Sequence, residues 1–120
     1  MKVLLVDDSK TTAKQLSQII EKIPGYEIID IAANGAEAVK LYNKHNPDIV
    51  CMDIVMPVMD GLQALQSILH LDSAAKVIVI SSLGGVGDKV IEAIRLGAKS
   101  VISKPFTPEQ IQDALQSVWA

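Results

Sequence analysis

The chain has 120 residues, the length of one domain, and 49% of them are hydrophobic, enough to bury a sizeable core. Aromatics make up only 3%, so that core is built from Val, Ile, Leu and Ala. A net charge of −3 excludes a chain-wide nucleic-acid footprint, which would be basic. The single cysteine, Cys51, excludes an internal disulfide and fits a reducing compartment. The apolar run after Met1-Lys2 is too short for a signal-peptide core or a membrane span, so a soluble cytoplasmic protein is expected.

Val3-Leu4-Leu5-Val6 predicts a first strand that ends at Asp7-Asp8-Ser9. Asp8 or Ser9 can cap the following helix, which places Ala13, Leu16, Ile19, Ile20 and Ile23 on one face and stops at Pro24-Gly25. Glu27 to Ile31 predicts a weaker strand, less apolar and nearer a sheet edge. Asn34-Gly35 turns into a helix carrying Ala38, Leu41 and Tyr42 inward, and Asn46-Pro47 ends it. Ile49 to Met52 is all apolar, as in a strand buried on both faces, and it delivers Asp53 to a loop punctuated by Pro57 and Asp60-Gly61. A third helix then turns Leu62, Leu65, Ile68 and Leu69 inward. Lys76 to Ile80 predicts the fourth strand, handing over to Ser81-Ser82 and a glycine-rich loop. The fourth helix, with Val90, Ile91 and Ile94 as its core face, stops at Gly97. Val101-Ile102 forms a brief fifth strand leading to Ser103-Lys104-Pro105-Phe106. Thr107 caps a last helix with Pro108 at its first position and Ile111, Ala114, Leu115 and Val118 inward.

Strands alternating with helices predict an α/β fold, a single domain over 1–120 with a parallel sheet covered on both faces. In such sheets ligands sit beyond the carboxyl ends of the strands. That rule gathers Asp7, Asp8, Asp53, Ser81 and Lys104 on one rim. Two carboxylates about 4 Å apart repel by about 4 kcal/mol at an effective dielectric near 20. A cation between them relieves this, and an oxygen-only ligand set suits a hard ion such as Mg²⁺. A divalent ion, a lysine and a lone carboxylate together equip a site for phosphoryl transfer, with Asp53 as nucleophile.

Asp7-Asp8, Asp53 with Met56-Pro57 and Asp60-Gly61, Ser81-Ser82, Gly97-Ala98 and Lys104-Pro105-Phe106 together resemble the response-regulator receiver domains of two-component signalling. Each motif alone is weak, but five in the right order at the right strand ends are specific. The resemblance runs from residue 2 to about 118 and is strongest to the free-standing chemotaxis receivers. It implies a flavodoxin-like (βα)₅ fold with strand order 2-1-3-4-5. It also implies Asp53 as phosphoacceptor, Mg²⁺ held by Asp7, Asp8, Asp53 and the backbone carbonyl of Val55, Ser81 on a phosphoryl oxygen, and Lys104 on the phosphate. A cis Lys104-Pro105 bond follows from the same source. The implied partners are a histidine kinase of the CheA type and a downstream target, a flagellar motor switch by analogy or a phosphatase. The target would dock on the face formed by the fourth helix, fifth strand and fifth helix. Neither nucleic acid nor membrane is implied, and a monomer is expected. Chemistry would be confined to self-catalysed phosphorylation and dephosphorylation, so the chain is read as a switch and not as an enzyme.

Three positions depart from the family pattern, in two ways. Val101 stands where the family usually carries a switch aromatic, which shifts the expected motion to the Gly84-Gly85-Val86-Gly87 loop. Val55 and Leu83, each two residues after a site residue, are apolar where relatives use polar groups to position water, so slow self-dephosphorylation is expected. An aspartate-nucleophile phosphohydrolase would need an acid where Val55 stands. An unphosphorylated docking module would have no reason to keep a repulsive acid cluster. With nothing following Ala120, a stand-alone switch is expected, or else a receiver cut from a longer regulator. Cys51 reads as inert core, His45 and His70 as surface residues, Trp119 as a packing cap on the last helix, and Gly84 to Gly87 as a flexible loop that lacks the Walker A pattern.

Overall fold

The structure, a computed structural model, describes residues 1–54, 61–81 and 87–118, with the backbone alone at 87–89. Among the described residues five strands, β1 (Lys2–Val6), β2 (Glu27–Ala32), β3 (Ile49–Asp53), β4 (Val77–Ser81) and β5 (Ser100–Ser103), alternate with five helices. The helices are α1 (Lys10–Glu21), α2 (Gly35–His45), α3 (Gly61–Leu71), α4 (Gly87–Leu96) and α5 (Pro108–Ser117). The strands form one parallel sheet in the order β2-β1-β3-β4-β5, as the family resemblance implied.

Side-chain alternation along the strands splits the core in two. Leu4, Val6, Val50, Met52, Val77 and Val79 face α2, α3 and α4, meeting Tyr42, Leu65, Ile68 and Ala93. Val3, Leu5, Ile49, Cys51, Ile78 and Ile80 face α1 and α5, meeting Leu16, Ile20, Ile111 and Leu115. β3 and β4 are buried throughout, which is why their sequences read as continuous apolar runs instead of alternating ones. β2 lies at the sheet edge, in keeping with its lower hydrophobicity.

Helix ends are set by local chemistry. Ser9, Asn34 and Thr107 each accept an amide bond at their helix starts. Thr107 and Gln110 complete a reciprocal capping box at α5. Asn46 ends α2 in the left-handed region at φ +49°, a conformation asparagine tolerates better than most residues. At the end of α4, Gly97 takes φ +120°, which a side chain would strain.

Two expectations fail here. Gly87, read as part of the flexible loop, is the first residue of α4. Ile91 and Ile94 were read as the core face of α4, yet they are 50% and 56% exposed. Ala93 is the buried residue, with Val90 and Leu96 partly covered. The pattern Val-Ile-x-x-Ile fits two helix rotations equally well, and a small residue brings α4 closer to the sheet than an isoleucine would.

Candidate functional site

The two-residue period of the strands carries polar groups into a row at the carboxyl rim. In β1, Val3 and Leu5 face α1 and α5, and Asp7 is the next residue of that row. In β3, Ile49 and Cys51 lead to Asp53, and beyond β5, Ile102 leads to Lys104. Lys104 Nζ donates to Asp53 Oδ2 at 3.0 Å and lies 3.8 Å from Asp7 Oδ2. Both acids are buried, Asp7 to 4% exposure and Asp53 to 5%. Asp8 is exposed beside them. Asp7, Asp8 and Asp53 each present a carboxylate oxygen within 4.8 Å of the others.

The backbone around the rim is fixed by bonds between strands. The Asp7 amide donates to Ala32 O at 3.0 Å and the Ile54 amide to Ile80 O at 3.1 Å. The Lys104 amide donates to Ser81 O at 2.8 Å, and the Ser81–Ser103 pairing sets that lysine beside the end of β4. The Lys104-Pro105 peptide is cis. Ser81 is 3% exposed and belongs, by alternation, to the row of Val77 and Val79. It therefore flanks the acids from the neighbouring strand instead of standing in their row.

The electrostatics of Asp7 carry the most information. Its Oδ1 accepts the Ser9 amide at 2.8 Å, while Oδ2 is buried with no hydrogen-bond partner among the described residues. Burial pushes its pKa above the usual carboxylate value; the Ser9 amide and Lys104 oppose the rise, and Asp53 and Asp8 add to it. A buried carboxylate with an oxygen that has no hydrogen-bond donor among the described residues, clustered with two further carboxylates, is the situation a small cation corrects. The donor set is all oxygen, which fits Mg²⁺. Asp7, Asp8 and Asp53 would hold it by carboxylate. The fourth expected ligand, the Val55 carbonyl, lies outside the described residues, as do Leu83, Gly84, Gly85, Val86 and Trp119.

Two contributors escaped the sequence reading. The Ser9 amide, which orients Asp7, was foreshadowed by Ser9 two residues after an acid, the spacing of an Asx turn. Gly61 was read as a turn at the start of the third helix and as part of the family motif, without a role at the site, but its amide donates to Ile54 O at 2.7 Å. A Cβ there would lie 2.2 Å from the Asp53 carbonyl oxygen and 2.6 Å from Ile54 Cα. Glycine is what lets α3 begin against the end of β3. Away from the site, Cys51 is buried and its thiol is pushed up to about 12 by desolvation, so it is inert core. His70 is exposed, whereas His45 is half-buried, its Nε2 3.1 Å from Asp30 Oδ2.

A parallel sheet in this order with an acid triad and a lysine at its rim is the architecture of a receiver. The family model of the response regulator receiver domain matches residues 3–116, and the chain belongs to that family of phosphorylation-activated switches. Among its relatives is the chemotaxis protein CheY of Thermotoga maritima, 47% identical over 117 residues, covering 98% of this chain and 96% of that one. CheY of Halobacterium salinarum is 42% identical over 116 residues, covering 97% and 94%. In three dimensions the chain is similar to a solved CheX-CheY-BeF₃-Mg complex from Borrelia burgdorferi, with a TM-score of 0.93 at 44% identity, covering 100% of this chain and 90% of that one. Among the described residues, no helix is long and apolar enough to cross a membrane.

Proposed function

We propose that Asp53 is the phosphoacceptor of this switch and that the phosphoryl group comes from a phosphohistidine on a histidine kinase of the CheA type. The observation that carries this reading is the 3.0 Å contact of Lys104 Nζ with Asp53 Oδ2, beside an Asp7 oxygen that has no hydrogen-bond partner among the described residues. An Asp53 carboxylate oxygen attacks the donor phosphorus in line. The P–O bond to Asp53 forms as the P–N bond to histidine breaks, and the imidazole nitrogen keeps that electron pair. Lys104 exchanges its contact with the carboxylate for one with the transferred phosphoryl oxygens, and the Ser81 hydroxyl takes another. Mg²⁺ at the acid triad would neutralise charge on the phosphoryl oxygens. Reversal occurs by water, slowly, because Val55 and Leu83 offer no polar group to orient it.

The same reading covers residues 1–120 as one monomeric receiver in the cytoplasm, without nucleic-acid or membrane binding. Its partner face is α4, β5 and α5, supported by the exposure of Ile91 and Ile94 on α4. Relatives named for chemotaxis favour the flagellar motor switch as target, and the CheX in the Borrelia complex favours a phosphatase as a second partner.

Incubation with a small phosphodonor and Mg²⁺, followed by intact mass measurement, tests the assignment. The parent gains one phosphoryl group and Asp53→Asn gains none. A gain in Asp53→Asn, or none in the parent while Mg²⁺ binds, overturns it. The metal assignment has its own check in thermal unfolding. Asp7→Asn removes a buried charge that desolvation and the neighbouring Asp53 and Asp8 disfavour, so this variant is the more stable without divalent ions, while Mg²⁺ raises the melting temperature of the parent far more than that of the variant.

A further inference from the structure

Between α1 and the start of α5 lies a cleft of about 930 Å³, a volume in the range that holds small organic ligands. Its walls include Ile19 from α1, Ile23 just past the end of that helix, and Pro105 and Phe106 from the segment after β5. Ile19, Ile23 and Phe106 each pack one side against the core and remain only partly buried. Phe106 is the one phenylalanine in the chain, and it stands in this wall and not in the interior. Glutamine amides from α1 and α5 complete the lining.

The charge of the lining is one-sided. Lys22 and Lys104 belong to it, and among the described residues no carboxylate does. The Lys104 ammonium is committed to Asp53 and Asp7 at 3.0 and 3.8 Å. Lys22, the exposed C-cap of α1, is in no ion pair among the described residues. An apolar, partly aromatic cleft with one uncommitted cation at its edge matches a compact ligand with an aromatic body and a single anionic group. The ring would lie on Phe106 and the isoleucines, and the anion would meet Lys22.

We propose that this cleft is a binding site for small aromatic anions, separate from the acid triad and joined to it by Lys104, which lines the one and bonds the other. The site rests on the cleft's own geometry and does not depend on the phosphoryl assignment of Asp53.

Anilinonaphthalene sulfonate, an aromatic body with one sulfonate, is the probe. Titrated into the folded full chain, it shows saturable fluorescence enhancement and shifts backbone amide resonances in residues 12–23 and 104–112. Lys22→Glu weakens its binding by about tenfold, whereas Lys40→Glu on α2, with the same change in net charge, leaves it unchanged. Both lysines are exposed, so neither variant threatens the fold. Absence of saturable binding, equal affinity of the parent and Lys22→Glu, equal weakening by Lys40→Glu, or resonance shifts centred on Ile91 and Ile94 of α4 would each overturn the proposal.

Discussion

The two helices next to β5 are of equal length and similarly amphipathic, yet the protein holds them very differently. α5 buries Ile111, Ala114 and Leu115 against the sheet and α1, and a capping box closes its start. α4 buries Ala93 and leaves Ile91 and Ile94 half exposed. A helix is fixed by the apolar area it removes from water, and on that measure α5 belongs to the frame while α4 rests on it lightly. A switch needs both kinds of element. The lightly held one can shift with little loss of stability and still present an apolar surface to a partner.

The comparison can be broken most forcefully at Leu115. Leu115→Ala leaves a cavity beneath α5, and urea unfolding should record a loss of about 2–5 kcal/mol. A loss below about 1 kcal/mol would place α5 among the lightly held elements. Tyr42→Phe sharpens it on α2, where the Tyr42 hydroxyl donates to Asp72 Oδ2 at 3.0 Å and ties that helix to the turn before β4. Loss of this bond should cost about 1 kcal/mol near neutral pH. The same residue gives a pH signature. Burial, assisted by Asp72, raises the Tyr42 hydroxyl from 10.0 to about 12. Between those values the folded chain binds more protons than the unfolded chain, so its stability falls as pH rises through that window. Stability measured from pH 9.5 to 12 should show this decline in the parent, and a shallower one in Tyr42→Phe.

Thr107→Ala, which removes half of the capping box, should lower stability by about 1 kcal/mol in the same assay. The smallest effect is expected on α4. Ile94→Ser should change stability by no more than about 0.5 kcal/mol. If α4 belongs to the output face, that variant should bind its downstream target more weakly while accepting a phosphoryl group at the parental rate. A stability loss as large as that of Leu115→Ala would mean that α4 is as firmly held as α5.

The rim shows the same division between what a local pattern encodes and what it leaves open. Asp7, Asp53 and Lys104 were legible because each follows a short apolar run, and chemistry in a parallel sheet collects at such exits. Caps at Ser9, Asn34 and Thr107 were legible because capping depends on residues within one turn. Which isoleucines of α4 would be covered was not legible. That depends on where α3 and β5 lie, and a helix with apolar residues on two adjoining faces does not declare which one finds a partner.

The sequence by itself determined the alternation of strands and helices, the buried centre of the sheet and the acids at its rim. These follow from periods of two and 3.6 residues and from the chemistry of chain turns. Tertiary structure alone decided the reach of Lys104 to Asp53, the oxygen of Asp7 left without a hydrogen-bond donor among the described residues, and the approach of Gly61 to the end of β3. It alone opened the cleft between α1 and α5 and left α4 half uncovered. Distances between residues far apart in the chain are set by packing, and no local pattern contains them.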